Sequence, residues 1–578
     1  ALYNAINAKK LPSYSTLGKE DVEMGILMGT GAYDLDRKVS EATSFNIKSV
    51  LAGKTPKPQK VQFYEDELLY INKDTADDLN YQPHLRVLYT AEVISHRKPN
   101  VLTMSDVFNN VANSNLDIER KKLLVKAARR GAVAAALRYL PTFNVTLGYQ
   151  SYNHSYAESA KLLYPERTGV FKMGFEQIIY SPALVTNIIL KKKNLNFAKH
   201  EQFLTEQNMG IDIAMLYMDV LILENKIKVQ KDYVKECREA LAMARVREKM
   251  GYCGQEEALR WATELNRHEQ ELLDMASALR NTKVQMSKVM YQDQSKDFEL
   301  APIKATDKTF FTSEINIINH LGTEQNLETF IKMLVDESYQ VSPELAKLRT
   351  AQQMKKTEMA MYIQKFVLPD AKLELSYTTL PGRHYSSEFP SMVMLPTYGG
   401  AGTPIGKTAL PLGQMLGHAN KDNVYFGLFA QWKPIEGGTK FAEIARTKAE
   451  LNELQRYEDE VKTQLEEEIR MIVNRALAGY FSIDKNYKAM FAAQENYQKV
   501  KAQYLAGKIP VSQLTDSQAV YLESKEKAMN SQYVFFKEVV WVQRGICAVD
   551  WEKAPQQAHE FIKKLRSTLS YQEDITLL

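Results

Sequence analysis

Two stretches of this chain carry long, unbroken helical patterning. Ala183 to Met250 contains no Pro and a single Gly (Gly210), and Thr439 to Ala506 again has no Pro and a single Gly (Gly479). At 1.5 Å rise per residue each predicts a helix roughly 100 Å long, well beyond globular norms. In the second stretch the stripe steps by three and four through Val461, Leu465, Ile469, Ile472, Ala476, Tyr480, Ile483, Tyr487, Met490, Gln494, Tyr497, Val500 and Tyr504. That is about 3.6 residues per step, between a straight helix and a coiled-coil seam. So narrow a stripe needs a partner helix. Each stretch supplies one: it meets a Gly turn (Gly251, Gly507) and returns as a second helical run, about Glu256 to Met290 and Val511 to Gln543.

Period-two alternation precedes each long helix. Val145, Leu147 and Tyr149 fall on one face of the segment Asn144–Tyr149, and Leu373, Leu375 and Tyr377 do the same in Lys372–Tyr377, 228 positions later. A second alternating segment follows in each half, with Phe171, Met173 and Phe175 in one and Tyr425, Gly427 and Phe429 in the other. These ends match too, as Phe-x-Gln (Gln177, Gln431). All four read as half-buried strands. Leu140-Pro141 and Leu368-Pro369 introduce the first strand of each half, at the end of an amphipathic helix. Helix, strand, loop, strand, long helix, turn and return helix thus occur twice, over about 101–290 and 330–550. The first hundred residues differ, with denser Pro and Gly (Gly53, Pro56, Pro58), short mixed α/β elements and a linker at His96–Asn100. The predicted class is mainly α with β: long helical hairpins, four strands, and a small α/β segment at residues 1–96 ahead of the repeats at 101–578.

Composition narrows the function. A 45% hydrophobic, 25% charged chain of 578 residues excludes global disorder. A net charge of +4 gives no footprint for nucleic acid. Cys237, Cys253 and Cys547 form neither a disulfide framework nor a zinc-ligand pattern. The best apolar run, Ile211 to Leu223, is short and broken by Asp212 and Asp219, so no helical membrane span is predicted. Short alternating strands of a β-barrel escape that test. The chain opens on Ala1 rather than Met, which leaves room for an upstream targeting segment.

Candidate chemistry is thin. Ala401-Gly402-Thr403-Pro404-Ile405-Gly406-Lys407-Thr408 satisfies a relaxed phosphate-loop pattern. A working phosphate loop needs a helix starting at the Lys, and Pro411 follows too closely. The segment also lies in a 43-residue Pro/Gly-rich loop, Leu380 to Asp422, which reads better as an outer loop between strands. Nine scattered His form no metal-ligand motif. Met354, Met359, Met361, Met392 and Met394 could handle a soft metal, but among 22 Met ordinary packing explains them better. No catalytic residue, cofactor site or metal site is predicted. The alternative reading is a soluble periplasmic coiled-coil protein, which explains the helices but not the paired strands.

From about Leu102 to Val542 the order of elements resembles the TolC-like outer membrane factors, exit ducts of efflux pumps and type I secretion systems. The resemblance is carried by Ser105-Asp106-Val107-Phe108-Asn109-Asn110 through Asn115-Leu116-Asp117-Ile118, by Ala135-Ala136-Leu137-Arg138-Tyr139-Leu140-Pro141, and by Tyr504-Leu505-Ala506-Gly507-Lys508-Ile509-Pro510-Val511-Ser512-Gln513-Leu514. It implies a homotrimer whose protomers each give four strands to a twelve-stranded barrel in the outer membrane lipid, with the helices continuing as a periplasmic tube. It further implies a periplasmic adaptor and an inner-membrane pump (RND or ABC type) as partners, no nucleic acid, and no catalysis. Family ducts close at the helical tips, where an acidic pair follows the tip Gly by six and nine residues. Here those positions are Gln513 and Asp516 after Gly507, and Glu257 and Arg260 after Gly251, so Asp516 keeps the pattern and Glu257 could supply a second ring. The first tip, Arg247-Glu248-Lys249-Met250-Gly251, departs from the family in the Gly254 and charged Glu256-Glu257 that follow it. The opening segment is similar to the C-terminal part of an ABC-type periplasmic substrate-binding protein, through Lys10–Ser15, Glu23–Gly29, Asn46–Pro56 and Tyr70–Ala76.

Overall fold

The computed structural model describes residues 11–32, 67–84, 91–95, 101–159, 166–249, 254–303, 324–381, 392–398, 404–411 and 422–547, with isolated residues between them. The linker 96–100, most of Asn46–Pro56, Cys253 and Ala401–Thr403 lie outside the described residues. The opening part holds β1 (Tyr14–Ser15), α1 (Lys19–Glu23), β2 (Met28–Ala32), β3 (Glu67–Asn72), α2 (Lys73–Asp78) and β4 (Glu92–Ile94). Next come β5 (Val101–Leu102), α3 (Met104–Ser114), α4 (Leu116–Leu137), β6 (Thr142–Ser151), α5 (His154–Ser159), β7 (Arg167–Tyr180), α6 (Pro182–Lys249), α7 (Gln255–Met290) and β8 (Glu299–Leu300). The second repeat runs α8 (Glu324–Val341), α9 (Pro343–Gln364), β9 (Asp370–Thr379), β10 (Met392–Tyr398), β11 (Pro404–Pro411), β12 (Asp422–Gln431), α10 (Thr439–Leu505) and α11 (Val511–Gly545).

The two long helices, of 68 and 67 residues, start and stop within a residue or two of the Pro-free stretches. Every position of the α10 stripe from Val461 to Tyr504 is buried or half-buried. The chain forms two compact units, residues 1–120 with 203–342 and 462–578, and residues 121–202 with 343–461. No described helix is long and apolar enough to cross a membrane.

The second unit contains the antiparallel sheet, in the order β12-β9-β7-β6. Strands β6 and β9 span 142–151 and 370–379, the same segment 228 positions apart. Register places Phe143, Val145 and Leu147 beside Phe175, Met173 and Phe171. It continues the same face through Leu375 and Tyr377 to Phe426 and Val424. Asn144, Thr146, Glu176, Glu374 and Ser376 share the other face. This corrects the expected matching of the repeats: Tyr425, Gly427 and Phe429 lie on the polar face, opposite Phe171, Met173 and Phe175. The run Val424–Ala430 is apolar at almost every position, so alternation there has no phase to read. The Tyr425 and Phe429 rings close over Gly427, where an added Cβ would sit 2.6–2.7 Å from them.

The long loop after β9 is not structureless. Its strands β10 and β11 pair antiparallel, and Lys407 is opposite Pro396 in that hairpin. A strand where the phosphate-loop helix would have to begin removes the nucleotide reading. Helices flanking the sheet pair through ions: Lys121 with Glu201 at 2.6 Å joins α4 to α6, and Lys355 with Glu450 at 2.7 Å joins α9 to α10.

In the first unit, Thr103 and Asp106 form a reciprocal capping box at the start of α3. Asn115 then makes the joint to α4, accepting from the Asp117 and Ile118 N–H groups and donating to the Val289 carbonyl at 2.8 Å. The quoted family stretch therefore encodes a cap and a joint. Tyr217 donates to the carbonyl of Ala301 at 2.6 Å, holding the short parallel β5–β8 pair against α6. Strands β1 to β4 form a separate four-stranded mixed sheet.

Candidate functional site at the helical tips

Both hairpin turns rest on glycine. Gly251 and Gly507 have φ of +73° and +69°, a left-handed conformation that strains any residue bearing a Cβ. Their N–H groups close the last helical turns on the carbonyls of Glu248 and Tyr504. The next helices begin beyond Gly254 and Pro510, as expected of N-terminal positions that need no intrahelical donor.

The four candidate side chains separate into two roles. Glu257, in the first turn of α7, is half-buried and committed within the chain: its carboxylate accepts the Tyr504 hydroxyl from α10 and pairs with Arg247 of α6 at 3.2 Å. The Arg247 guanidinium also lies 5.0 Å over the Tyr504 ring. Arg260 donates to the Thr515 hydroxyl of α11 at 3.2 Å. Gln513 and Asp516 are exposed. Beneath these groups lies an apolar plug of Ala244, Ala258, Trp261, Tyr504 and Leu514, with Trp261 fully buried. Burial, followed by the bond to Glu257, pushes the Tyr504 hydroxyl well above the usual tyrosine range, so it stays a proton donor.

Higher up, the same kind of link recurs. Glu236 of α6 accepts from Tyr497 of α10 at 3.0 Å and from Gln518 of α11 at 2.9 Å. Tyr497 stacks on Tyr521 with centroids 5.6 Å apart. Asp232 pairs with Lys525 at 3.2 Å and Lys226 with Glu526 at 2.7 Å, both from α6 to α11. On the other side of α6, His268 of α7 is buried edge-on to Tyr233 at 4.2 Å, with Nδ1 2.7 Å from Glu271. Burial lowers the His268 pKa, and burial pushes the neighbouring Cys237 thiol up to about 12, leaving it inert.

The sequence reading missed Arg247, Glu236, Tyr497, Tyr504 and Gln518 as linking groups. Its available signal was tyrosine in place of leucine along the α10 stripe, because a buried Tyr hydroxyl requires a partner. Among the described residues no group of His, Cys, Asp and Glu could hold a metal ion.

The fold itself is that of the TolC-like outer membrane channels. Among solved structures, the chain is similar to the outer membrane protein VceC of Vibrio cholerae, with a TM-score of 0.58 and 12% identity over 77% of this chain and 95% of that one. It is also similar to the CmeC outer membrane channel of Campylobacter jejuni, with a TM-score of 0.56 and 11% identity over 80% and 89% of the two chains. The open state of the MtrE outer membrane channel of Neisseria gonorrhoeae gives a TM-score of 0.54 at 9% identity, over 77% and 88%. Comparison with protein-family profiles and with curated proteins finds no match.

Proposed function

We propose that this chain is an outer membrane exit duct, a passive conduit in which three copies share one barrel. The observation that carries the reading is the sheet β12-β9-β7-β6, with one face apolar throughout, the other polar across β6, β7 and β9, and two outer edges, at β6 and β12, that pair with no other strand among the described residues. Within hydrocarbon each unpaired backbone group costs several kcal/mol, so open edges have to be closed. Pairing β6 of one copy with β12 of the next closes them, and three copies of the four strands give twelve. Large apolar side chains on the edge strands stand in the open, with Leu147 77% and Phe426 69% exposed, as lipid-facing residues should. A soluble coiled-coil protein has no use for them.

In this reading the helices form the periplasmic tube, residues 101–578 are the duct, and residues 1–96 are a periplasmic appendage that helps recruit or sense cargo. The tips are the gate, released by a periplasmic adaptor working with an inner-membrane pump. Glu257, Arg247 and Tyr504 hold the two hairpins of one protomer together, while exposed Asp516 supplies the charge that cations meet. The test is the oligomeric state and planar-bilayer conductance of detergent-purified protein. A trimer with discrete conductance steps is expected; a monomer extractable without detergent and silent in bilayers rejects the duct.

A further inference from the structure

The helices that flank the sheet carry unequal charge in the two repeats. Between Glu119 and Glu158 the chain has no acidic residue, yet it carries Arg120, Lys121, Lys122, Lys126, Arg129, Arg130 and Arg138. Between Glu176 and Glu201 acids are again absent, while Lys191, Lys192, Lys193 and Lys199 are present. Some of these cations are engaged: Arg120 with Asp117, Lys121 with Glu201, and Lys193 with the Gln353 amide. Lys126, Arg129, Arg130, Lys191, Lys192 and Lys199 are exposed and make no ion pair with any described residue.

The second repeat shows what a neutralised version looks like. At the position matching Arg130, 228 residues on, stands Glu358. It pairs with Lys355 at 3.0 Å and approaches Arg446 at 3.7 Å, and Glu443 and Glu450 complete the cluster around Arg446. The first repeat has no acidic residue at the corresponding place.

They share a level along the two helices. Lys121 against Glu201 sets the antiparallel stagger of α4 and α6. Stepping equally along both helices puts Arg129 and Arg130 at the level of Lys193 and Lys192. On α4 the buried seam is Ile118, Val125, Ala132 and Ala135, and the exposed Lys122, Lys126 and Arg129 run along one edge of it. Arg130 lies roughly 10 Å before the end of α4, and β6 begins just beyond.

Resting on the duct reading, we propose that this basic band binds the anionic headgroups of the membrane leaflet that surrounds the periplasmic rim of the barrel. That leaflet's polar zone is about 5–7 Å deep, long Lys and Arg side chains reach toward it, and the screening length is about 8 Å. Each cation that close to an anionic surface strengthens attachment by about fivefold. The band fixes the depth of the barrel and selects anionic lipid for its annulus.

The test uses the full-length chain in a neutral detergent, with phosphatidylglycerol, phosphatidylcholine or inorganic phosphate added. Thermal unfolding and the lipid retained after purification are measured for the wild type and for a K126Q/R129Q/R130Q/K191Q/K192Q variant, with K485Q/K488Q on α10 as control. Phosphatidylglycerol alone should raise the wild-type and control melting temperatures, and the quintuple variant should lose that rise and the retained anionic lipid while staying trimeric. An equal rise in the variant overturns the proposal. So does an equal rise with inorganic phosphate, which makes the band a free-anion site, or a change in the channel's ion selectivity, which places it in the lumen. A wild type that is not trimeric fails the duct reading itself, and the lipid site with it.

Discussion

Tyr504 of α10 donates its hydroxyl hydrogen to the carboxylate of Glu257 on α7, joining hairpins 247 residues apart in sequence. The bond sits over the apolar plug around Trp261 and under the Arg247 guanidinium. One carboxylate therefore serves two partners on two other helices.

Removing the hydroxyl with Tyr504→Phe keeps the ring under Arg247 but leaves Glu257 short of a donor. The expected cost is about 1–2 kcal/mol at the tip. If the tip is the gate, bilayer recordings should show higher resting conductance. Glu257→Ala removes both links and should open the tip further, whereas Asp516→Ala should weaken cation block with little effect on resting conductance. Identical behaviour of the two Ala variants would show that Glu257 acts as a lumen charge and not as a link.

Gly251→Val and Gly507→Val force a β-branched residue into left-handed backbone. Each should destabilise its own turn by about 1–2 kcal/mol. Hydrogen exchange should accelerate in the last turns of α6 and α10 and stay unchanged in the sheet. Gly507→Asn should be milder, because Asn visits this conformation.

His268 makes the stability pH-dependent in a definite direction. Its folded-state pKa lies below the ordinary 6.5, chiefly through burial, so the unfolded chain takes up the proton first. The stabilisation is complete above about pH 6.5 and is lost as pH falls from there toward the folded-state value. Gln230, Arg267, Glu264 and Glu271 face the ring, and the acidic partners only partly offset burial. Melting temperature should fall between pH 7.5 and pH 5.5, and His268→Gln should flatten that slope. An unchanged slope in the variant would assign the effect elsewhere, with His200, also lowered by burial, the next group to replace.

The two faces of the sheet should respond oppositely to charge. Leu147→Arg places a cation on the apolar face and should cost about 2–4 kcal/mol if that face meets the bilayer midplane. Thr146→Arg, one residue away on the polar face, should insert and assemble normally. Heat-resistant trimer on gels, compared between the two, decides it.

By itself the sequence determined the local elements. The Pro-free stretches became α6 and α10, Gly251 and Gly507 became the turns, and the 228-residue offset between β6 and β9 held through the strands. Those features are periodic or conformational, and periodicity and backbone sterics act over a few residues, so one chain read in order suffices. Tertiary structure alone decided the rest. The facing of Val424 and Phe426 depended on pairing with β9, because a strand apolar on both sides has no phase of its own. The commitment of Glu257 to Tyr504 and Arg247, and of Glu236 to Tyr497 and Gln518, depended on which helices meet. A carboxylate's partners are fixed by distances of about 3 Å between segments far apart in the chain, and no spacing within the sequence encodes them.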